Sequence, residues 1–280
     1  MKRFEIVLLM LCLLSISAVL KAQTNDGEGL YTASLTATVG SAVLYDDYLS
    51  PLDYLGWKTQ LQFDYGRYFK ASQQCNLSWF NRWNVGYASV INRAGTARIP
   101  AASFAFAYGM KYHFRPARRL VVTLGGAANL DFMIKYGSRN VNNPASADGA
   151  VDVGINAGVS YLIQQQRLVM RVSYNLETPM LGAVFVPEMG ESYYEMYLGN
   201  LHNVAHFASF HNRLALNGEL NCDFVLKHTI LRLQLQHHHA AWHANNLYFC
   251  RAEWLAGVGF VFNFKPLGGK RSLDAPTLWQ

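Results

Sequence analysis

The sequence predicts an all-β protein, a transmembrane antiparallel β-barrel of about ten strands, and three observations support this prediction. First, 51% of the 280 residues are hydrophobic and only 15% are charged, against roughly a quarter charged in typical soluble domains. Second, apolar stretches after position 22 break within about ten residues, which excludes a spanning helix of ~20 apolar residues. Third, apolar and polar residues alternate with a period of two, as in strands with one lipid-facing side.

The clearest alternation lies between Ser103 and Phe114, where large, mostly aromatic residues occupy the even positions and Ala, Gly, Lys111 and His113 occupy odd ones. The same split recurs in 167–177, 213–224 and 251–264. A soluble β-sandwich also alternates, so the pattern alone leaves both environments open. The apolar face runs for ten or more residues while the polar face carries charges, which favours tilted spanning strands.

Ten strands can be placed with connections that alternate between long and short. The predicted strands are 30–44, 55–69, 75–90, 101–115, 119–135, 150–163, 167–182, 211–226, 229–239 and 246–264. Short turns fall at 70–74, 116–118, 164–166 and 227–228, and longer loops at 45–54, 91–100, 136–149, 183–210 and 240–245. Short periplasmic turns and long extracellular loops are typical of outer-membrane barrels. Eight to twelve strands are compatible with the pattern, because 183–210 is long enough for another hairpin.

The first 22 residues have the pattern of a secretory signal peptide. Lys2 and Arg3 precede an apolar stretch, and Ala22 supplies the small residue at the predicted cleavage site. A retained signal anchor is the alternative, but the apolar run is short and the polar segment 23–27 follows it. The sequence thus predicts a signal peptide (1–22), an outer-membrane barrel (23–264) and a periplasmic tail (265–280).

A family resemblance rests on Gln23 after the signal, the segment Tyr48–Tyr54 before Gly56, the aromatic alternating strands, and the ending Phe262-Asn263-Phe264. On these features the chain resembles the small uncharacterised outer-membrane β-barrel proteins of Bacteroidetes. The resemblance covers nearly all of the mature chain and implies a barrel in the bacterial outer membrane, without any catalytic motif. The tail after Phe264 departs from the usual pattern, in which the chain ends at the aromatic residue of the last strand.

Charged residues on the inward side of the predicted strands should face one another inside the barrel. They are Asp64, Arg82, Asp131, Asp152, Arg171, Glu177, Arg213, Glu219, Asp223, Arg232, Arg251 and Glu253. An eight-strand barrel is filled by its own side chains and ten strands add little room, so these charges are expected to pair. They form either a hydrogen-bonded plug or a path for small solutes or ions.

Histidines concentrate in and beside the last two predicted long loops. Imidazole nitrogens are common ligands of Zn²⁺ and Cu²⁺, which makes four of these residues candidate metal ligands: His202, His206, His237 and His239. A solvated loop without metal is the alternative, since neither cysteine nor tight ligand spacing accompanies them. The sequence predicts no other cofactor.

Three functions fit the sequence. The first is a non-enzymatic outer-membrane protein that contacts membrane lipid and acts through its extracellular loops or as a subunit of an envelope complex, without nucleic acid. The second is a narrow pore. The third is a rim hydrolase of omptin-like architecture, which would use the loop histidines with Asp46, Asp47, Glu188, Glu191 and Glu195. No omptin motif matches residue by residue, and no nucleotide-binding, serine-hydrolase or zinc-protease motif is present. We therefore assign no catalytic residue.

Overall fold

The structure, a computed structural model, describes residues 31–69, 76–137, 144–165, 168–190, 193, 196, 198–199, 203–226 and 229–264. Their strands are β1 (Tyr31–Asp46), β2 (Ser50–Tyr68), β3 (Leu77–Asn92), β4 (Arg98–Ala117), β5 (Leu120–Tyr136), β6 (Ala145–Gln164), β7 (Val169–Phe185), β8 (Ala205–Ser209), β9 (Arg213–Val225), β10 (Ile230–Ala244) and β11 (Leu247–Phe264). The predicted signal peptide and tail lie outside the described residues.

The strands form one antiparallel sheet that closes on itself. Each strand from β1 to β6 pairs with the next, β6 pairs with β7, and β11 pairs with both β10 and β1. Closure leaves no unpaired edge between the first and last strands. The protein is therefore a β-barrel, and the predicted fold class is confirmed.

The segments β8 and β9 occupy a single position in the barrel wall. β7 pairs with β9 through residues 169–177 and with β8 through 181–185, and both segments run antiparallel to it. A turn at 210–212 interrupts this wall strand. The wall thus has ten strands, as predicted, and 183–210 contains the first part of the eighth wall strand instead of another hairpin.

β1 begins and β11 ends on the same side of the barrel, which we call the turn end. The opposite side is the loop end. The loop-end connections are shorter than the sequence suggests: 47–49, 93–97 and 245–246 join strands at the predicted loops 45–54, 91–100 and 240–245. The strands are longer than the roughly ten residues that a strand needs to cross the apolar layer of a membrane, so they extend into the predicted loops. Two connections at the loop end are long, 137–144 and 186–204. At the turn end, the connection 69–76 is longer than the predicted turn.

The β10–β11 connection shows how a strand can extend through a predicted loop. Asn245 and Asn246 have φ angles of 51° and 58°. Two consecutive positive φ values are characteristic of the type I′ turn, which asparagine tolerates and which matches the twist of the flanking strands. The two asparagines therefore permit a two-residue hairpin, and β10 and β11 remain paired up to it.

The outer wall carries a band of exposed apolar side chains at alternate positions. Val151 and Val153 of β6 are 59% and 61% exposed, and Val39, Trp254 and Val258 are more than half exposed. Their strand neighbours, such as Asp152 and Glu253, point inward and are buried. A continuous apolar surface of this kind suits a hydrocarbon environment. Within the described part of the chain, no helix is long and apolar enough to cross a membrane.

Candidate functional site

The barrel interior gathers most of the buried polar residues, because every second residue of each strand points inward. Some opposite charges are direct cross-strand neighbours: Asp64 of β2 faces Arg82 of β3, and Asp223 of β9 faces Arg232 of β10. From the loop end to the turn end, the interior divides into an apolar cap, a polar layer and a cavity.

The apolar cap closes the loop end. Trp242 of β10 stacks on Phe249 of β11, with ring centroids 3.9 Å apart and planes tilted by 16°. The cap consists of Ala42, Leu44, Tyr54, Val90, Ile99, Ala150, Val184, Val186, Ala208, Ala215, Ala240, Trp242, Leu247 and Phe249. The cavity described beside it measures about 20 Å³, room for about one water molecule. The cap therefore packs like the core of a soluble domain.

The described residues of the 186–204 loop are tied to the barrel beside this cap at several points. The Tyr193 hydroxyl accepts a hydrogen bond from the Ala147 N–H (2.7 Å) and donates one to the Ala147 carbonyl (3.0 Å). Burial raises the pKa of Tyr193, which keeps its hydroxyl protonated as a donor. Asn245 donates from its side chain to the carbonyls of Val186 (2.9 Å) and Asn203 (3.0 Å). Val186, Tyr193 and Asn203 of the loop are thus fixed to the loop end of the barrel.

A buried lysine lies directly beneath the cap. Lys135 is fully buried; its ammonium pairs with Asp46 and with Asp148 at 2.6 Å, and lies 4.9 Å from the centre of the Phe249 ring. Sequence reasoning missed this group because it assigned Asp46 and Asp148 to loops. One signal was available: Lys135 has the same parity as the inward residue Asp131.

The polar layer crosses the middle of the barrel. Lys58 pairs with Glu253 at 2.7 Å, Arg251 with Asp131 at 2.6 Å and Arg213 with Asp152 at 2.7 Å. Glutamines add bonds between β2 and β10, which are not neighbours in the wall: Gln60 donates to Gln236 (3.0 Å), which donates to Gln62 (2.6 Å). Such cross-barrel bonds obstruct the interior.

The structure places all the predicted inward charges inside the barrel. Toward the turn end, Arg82 bridges Asp64 (2.7 Å) and Glu219 (2.8 Å), while Asp223 accepts from Arg171 (2.5 Å) and Arg232 (2.7 Å). Glu177 accepts a hydrogen bond from Asn156 at 3.2 Å. Sequence analysis omitted several inward charges that the structure adds to this set: Asp46, Lys58, Lys111, Lys135 and Asp148.

The predicted metal ligands do not come together. His237 and His239 lie on the outer face of β10, whereas His206 lies in β8 with its Nε2 3.2 Å from the Val186 carbonyl. His202 is outside the described residues. In the described part of the chain, no three His, Cys, Asp or Glu side chains are grouped so as to hold a metal ion. The three described histidines therefore do not form the expected site, because His206 lies in β8 beyond the turn at 210–212, whereas His237 lies opposite Gly218 inside β9.

His237 instead belongs to an aromatic group on the outer wall. Its Nε2 is 2.9 Å from the Tyr174 hydroxyl, and its ring lies 5.3 Å from that of Trp254. The ring fits over Gly218, where an added Cβ would lie 1.8 Å from Nε2. Gly218 thus leaves the space that lets His237 reach across β9 to Tyr174.

The rim residues considered for hydrolysis have other partners. Asp46 pairs with Lys135 inside the barrel, and Asp47 accepts from the Tyr45 hydroxyl (2.6 Å) and the Tyr248 N–H (2.9 Å). Glu188 accepts from the Asn203 side chain at 2.9 Å. Glu191 and Glu195 lie outside the described residues. The hydrogen bonds described for His206 and His211 go to a backbone carbonyl and to Ser209, which leaves general-base catalysis without geometric support.

A family model described as "Protein of unknown function (DUF3316)" matches residues 6–271. Similar solved structures include the outer membrane protease OmpT from Escherichia coli, at 8% identity and a TM-score of 0.45, covering 86% of this chain and 98% of that one. The translocator domain of the autotransporter NalP from Neisseria meningitidis is 10% identical, with a TM-score of 0.38 and coverages of 91% and 97%. The attachment invasion locus protein Ail of Yersinia pestis is 8% identical, with a TM-score of 0.30 and coverages of 84% and 99%. No curated protein matches the chain in sequence.

Proposed function

We propose that the chain, which belongs to the DUF3316 family, is a sealed barrel of the bacterial outer membrane. It conducts no solute and acts, without enzymatic activity, through contacts at its loop end, either alone or as a subunit of an envelope complex. The observation that carries this proposal is the apolar cap, which closes the loop end of the interior. A barrel that is filled and capped can anchor and present a surface but cannot serve as a channel.

A membrane location is supported by the outer wall. Its apolar side chains are exposed at alternate positions on most strands. Contact with the hydrocarbon of a bilayer avoids the free-energy cost of exposing these side chains to water. The predicted signal peptide would deliver the chain across the inner membrane. Barrel closure satisfies the backbone hydrogen bonds of every spanning strand, as a hydrocarbon environment requires.

The interior argues against a pore. An ion path needs continuous water, yet the cavities decrease from about 190 Å³ at the turn end to about 80 Å³ in the polar layer and about 20 Å³ at the cap. Between them lie ion pairs with donor–acceptor distances near 2.7 Å and the cross-barrel glutamine bonds. Opening a path would separate buried charges from their partners, which costs several kcal/mol for each pair.

The loop-end surface is the part that fits a protein partner. Apolar residues in and beside the 186–204 loop are exposed: Met189 at 74%, Leu198 at 66% and Phe207 at 63%. Exposed apolar groups outside a lipid-facing band are typical of interaction sites. This surface lies away from the turn end and would face the outside of the cell.

Conductance in planar lipid bilayers tests the seal. Purified, refolded protein should insert and give no current steps at any applied voltage, while a known porin in the same chamber confirms sensitivity. Insertion is checked independently by recovery of folded, heat-modifiable protein with vesicles of the same lipid. Reproducible channel steps from the wild-type protein would overturn the proposal in favour of the narrow pore.

A further inference from the structure

The turn-side cavity is the largest space described in the interior, at about 190 Å³, room for at least six water molecules at ~30 Å³ each. Its lining includes Tyr68, His113 and Arg115, which lie near strand ends at the turn end. The polar layer and cap close it on the other side. A solute would therefore reach it from the turn end, which is the periplasmic side of the proposed orientation.

The cavity lining has more positive than negative charge. It includes five basic side chains, counting Arg and Lys, against two carboxylates, Asp64 and Glu219. Asp223, inside the barrel beside the cavity, adds a third negative charge through its pairs with Arg171 and Arg232. Among the described residues, the basic side chains around this space therefore outnumber the carboxylates.

Lys111 accounts for part of this excess. Among the described residues, no carboxylate lies within 4.0 Å of its ammonium, which lies 4.5 Å from the centre of the Phe80 ring. Its cross-strand neighbours are Ser78 on β3 and Gly125 on β5. A Cβ at Gly125 would lie 2.0 Å from the Met110 carbonyl oxygen, so glycine at this position allows β4 and β5 to approach closely.

Neutral donors complete the lining. Ser160 of β6 and Ser173 of β7 are direct cross-strand partners, and Thr123 of β5 also lines the cavity. Hydroxyl groups can donate to an oxyanion from the side opposite an ammonium group. A lysine with hydroxyl donors in a partly dehydrated cavity is a suitable arrangement for a phosphate-type anion.

From this geometry we propose that the turn-side cavity binds a small phosphate-type oxyanion from the periplasm, with the Lys111 ammonium as its principal ligand. The barrel wall separates the cavity from the bilayer, so a free anion fits better than a lipid headgroup. The periplasmic origin of the anion rests on the orientation given in the proposed function, whereas the site itself does not depend on the seal, since binding is measured separately from conductance.

Isothermal titration calorimetry with inorganic phosphate tests the site, with full-length mature protein refolded in a phosphate-free zwitterionic detergent at low ionic strength. We expect saturable binding that weakens about tenfold or more in Lys111→Met, because a charge-assisted hydrogen bond is lost. Arg118→Met is the matched control: it removes one cation at the same end of the barrel, but Arg118 is exposed and does not line the cavity. It should bind phosphate as the wild type does.

A second variant keeps the test decisive if Lys111→Met fails to fold. Ser160→Leu leaves every charge in place but fills the cavity, and it should also abolish binding. The proposal is overturned if the wild type gives no saturable heat, or if Lys111→Met and Arg118→Met weaken binding equally. Binding of short-chain phosphatidylglycerol in place of inorganic phosphate would overturn the assignment to a free anion.

Discussion

At the scale of single residues, Lys135 shows how strongly the stability of the barrel depends on one buried charge. Its ammonium neutralises two largely buried carboxylates beneath the stacked rings of Trp242 and Phe249. Lys135→Met keeps much of the side-chain volume but leaves Asp46 and Asp148 facing each other. We expect the free energy of unfolding to fall by about 3–5 kcal/mol, the usual result of removing one partner of a buried pair. Urea titration in lipid vesicles, followed by tryptophan fluorescence, measures it.

The matched control is an ion pair of the same type at the surface. Arg93 lies 3.5 Å from Asp53, with the two side chains 81% and 49% exposed. Arg93→Gln should change the free energy of unfolding by no more than about 1 kcal/mol, because water and salt screen an exposed pair. If both variants lost a similar free energy of unfolding, burial would not make the Lys135 ion pair more important to stability than an exposed pair.

The same scale explains which site residues the sequence could predict. Asp64, Arg82 and Glu219 lie well inside their strands, so parity alone places them in the interior. Asp46 and Asp148 follow the same parity but fell in predicted loops, and Lys135 is the last residue of a predicted strand. The described candidate histidines lie apart for another reason: His206 lies in β8, far along the wall from His237 and His239 in β10, a separation that spacing along the chain does not reveal.

At the scale of elements, Tyr193 is the best test of how the 186–204 loop is held. Its hydroxyl exchanges two hydrogen bonds with Ala147, and its ring packs edge-on against Tyr48 at 5.8 Å. Tyr193→Phe keeps the ring and removes both bonds. A loss of about 1–2 kcal/mol should make opening of the loop roughly tenfold more frequent. Limited proteolysis within 186–204 reports this when cleavage is slower than reclosing.

The pH dependence of this anchor has a definite sign. Because burial raises the pKa of Tyr193, its stabilising effect is complete below about pH 10, the pKa of an unperturbed tyrosine. It is lost as the pH rises through the higher folded-state value. Cleavage within the loop should therefore increase in strong alkali for the wild type but not for Tyr193→Phe. At neutral pH, Tyr45→Phe, which loses a part-buried bond to Asp47, should be cleaved as slowly as the wild type; cleavage as fast as that of Tyr193→Phe would argue against a specific anchor.

Strand positions were predictable because the alternation persists in every spanning segment, whereas connection lengths were not. The sequence pattern identifies residues that face lipid, but pairing continues beyond the lipid-facing band. Leu44 and Tyr54 still pair between β1 and β2, although both fall at the edge of a predicted loop. The Asn245-Asn246 turn carried a usable signal, because asparagine tolerates the two positive φ angles of a type I′ hairpin, yet the sequence analysis placed a longer loop there, at 240–245.

At the scale of the whole molecule, the barrel is asymmetric along its axis: the loop end is apolar and closed, and the turn end is polar and hollow. This asymmetry predicts different chemical access to the two halves of the interior. In a background with Cys75, Cys222 and Cys250 replaced by serine, one cysteine is placed in the turn-side cavity at Ser173 and another in the cap at Ala240. Ser173→Cys should react with methanethiosulfonate reagents, while Ala240→Cys, 4% exposed in the wild type, should stay unreacted.

The charge of the cavity adds a second readout to the same experiment. The excess of basic side chains should concentrate anions near Ser173, so an anionic methanethiosulfonate should react several-fold faster than a cationic one of similar size. Adding Lys111→Met should reduce that ratio, and high salt should reduce it further by screening. Comparable labelling of Ala240→Cys would contradict the closed cap. Equal rates for the two reagents would contradict the electropositive cavity without bearing on the closed cap. The two halves of the barrel are therefore tested separately.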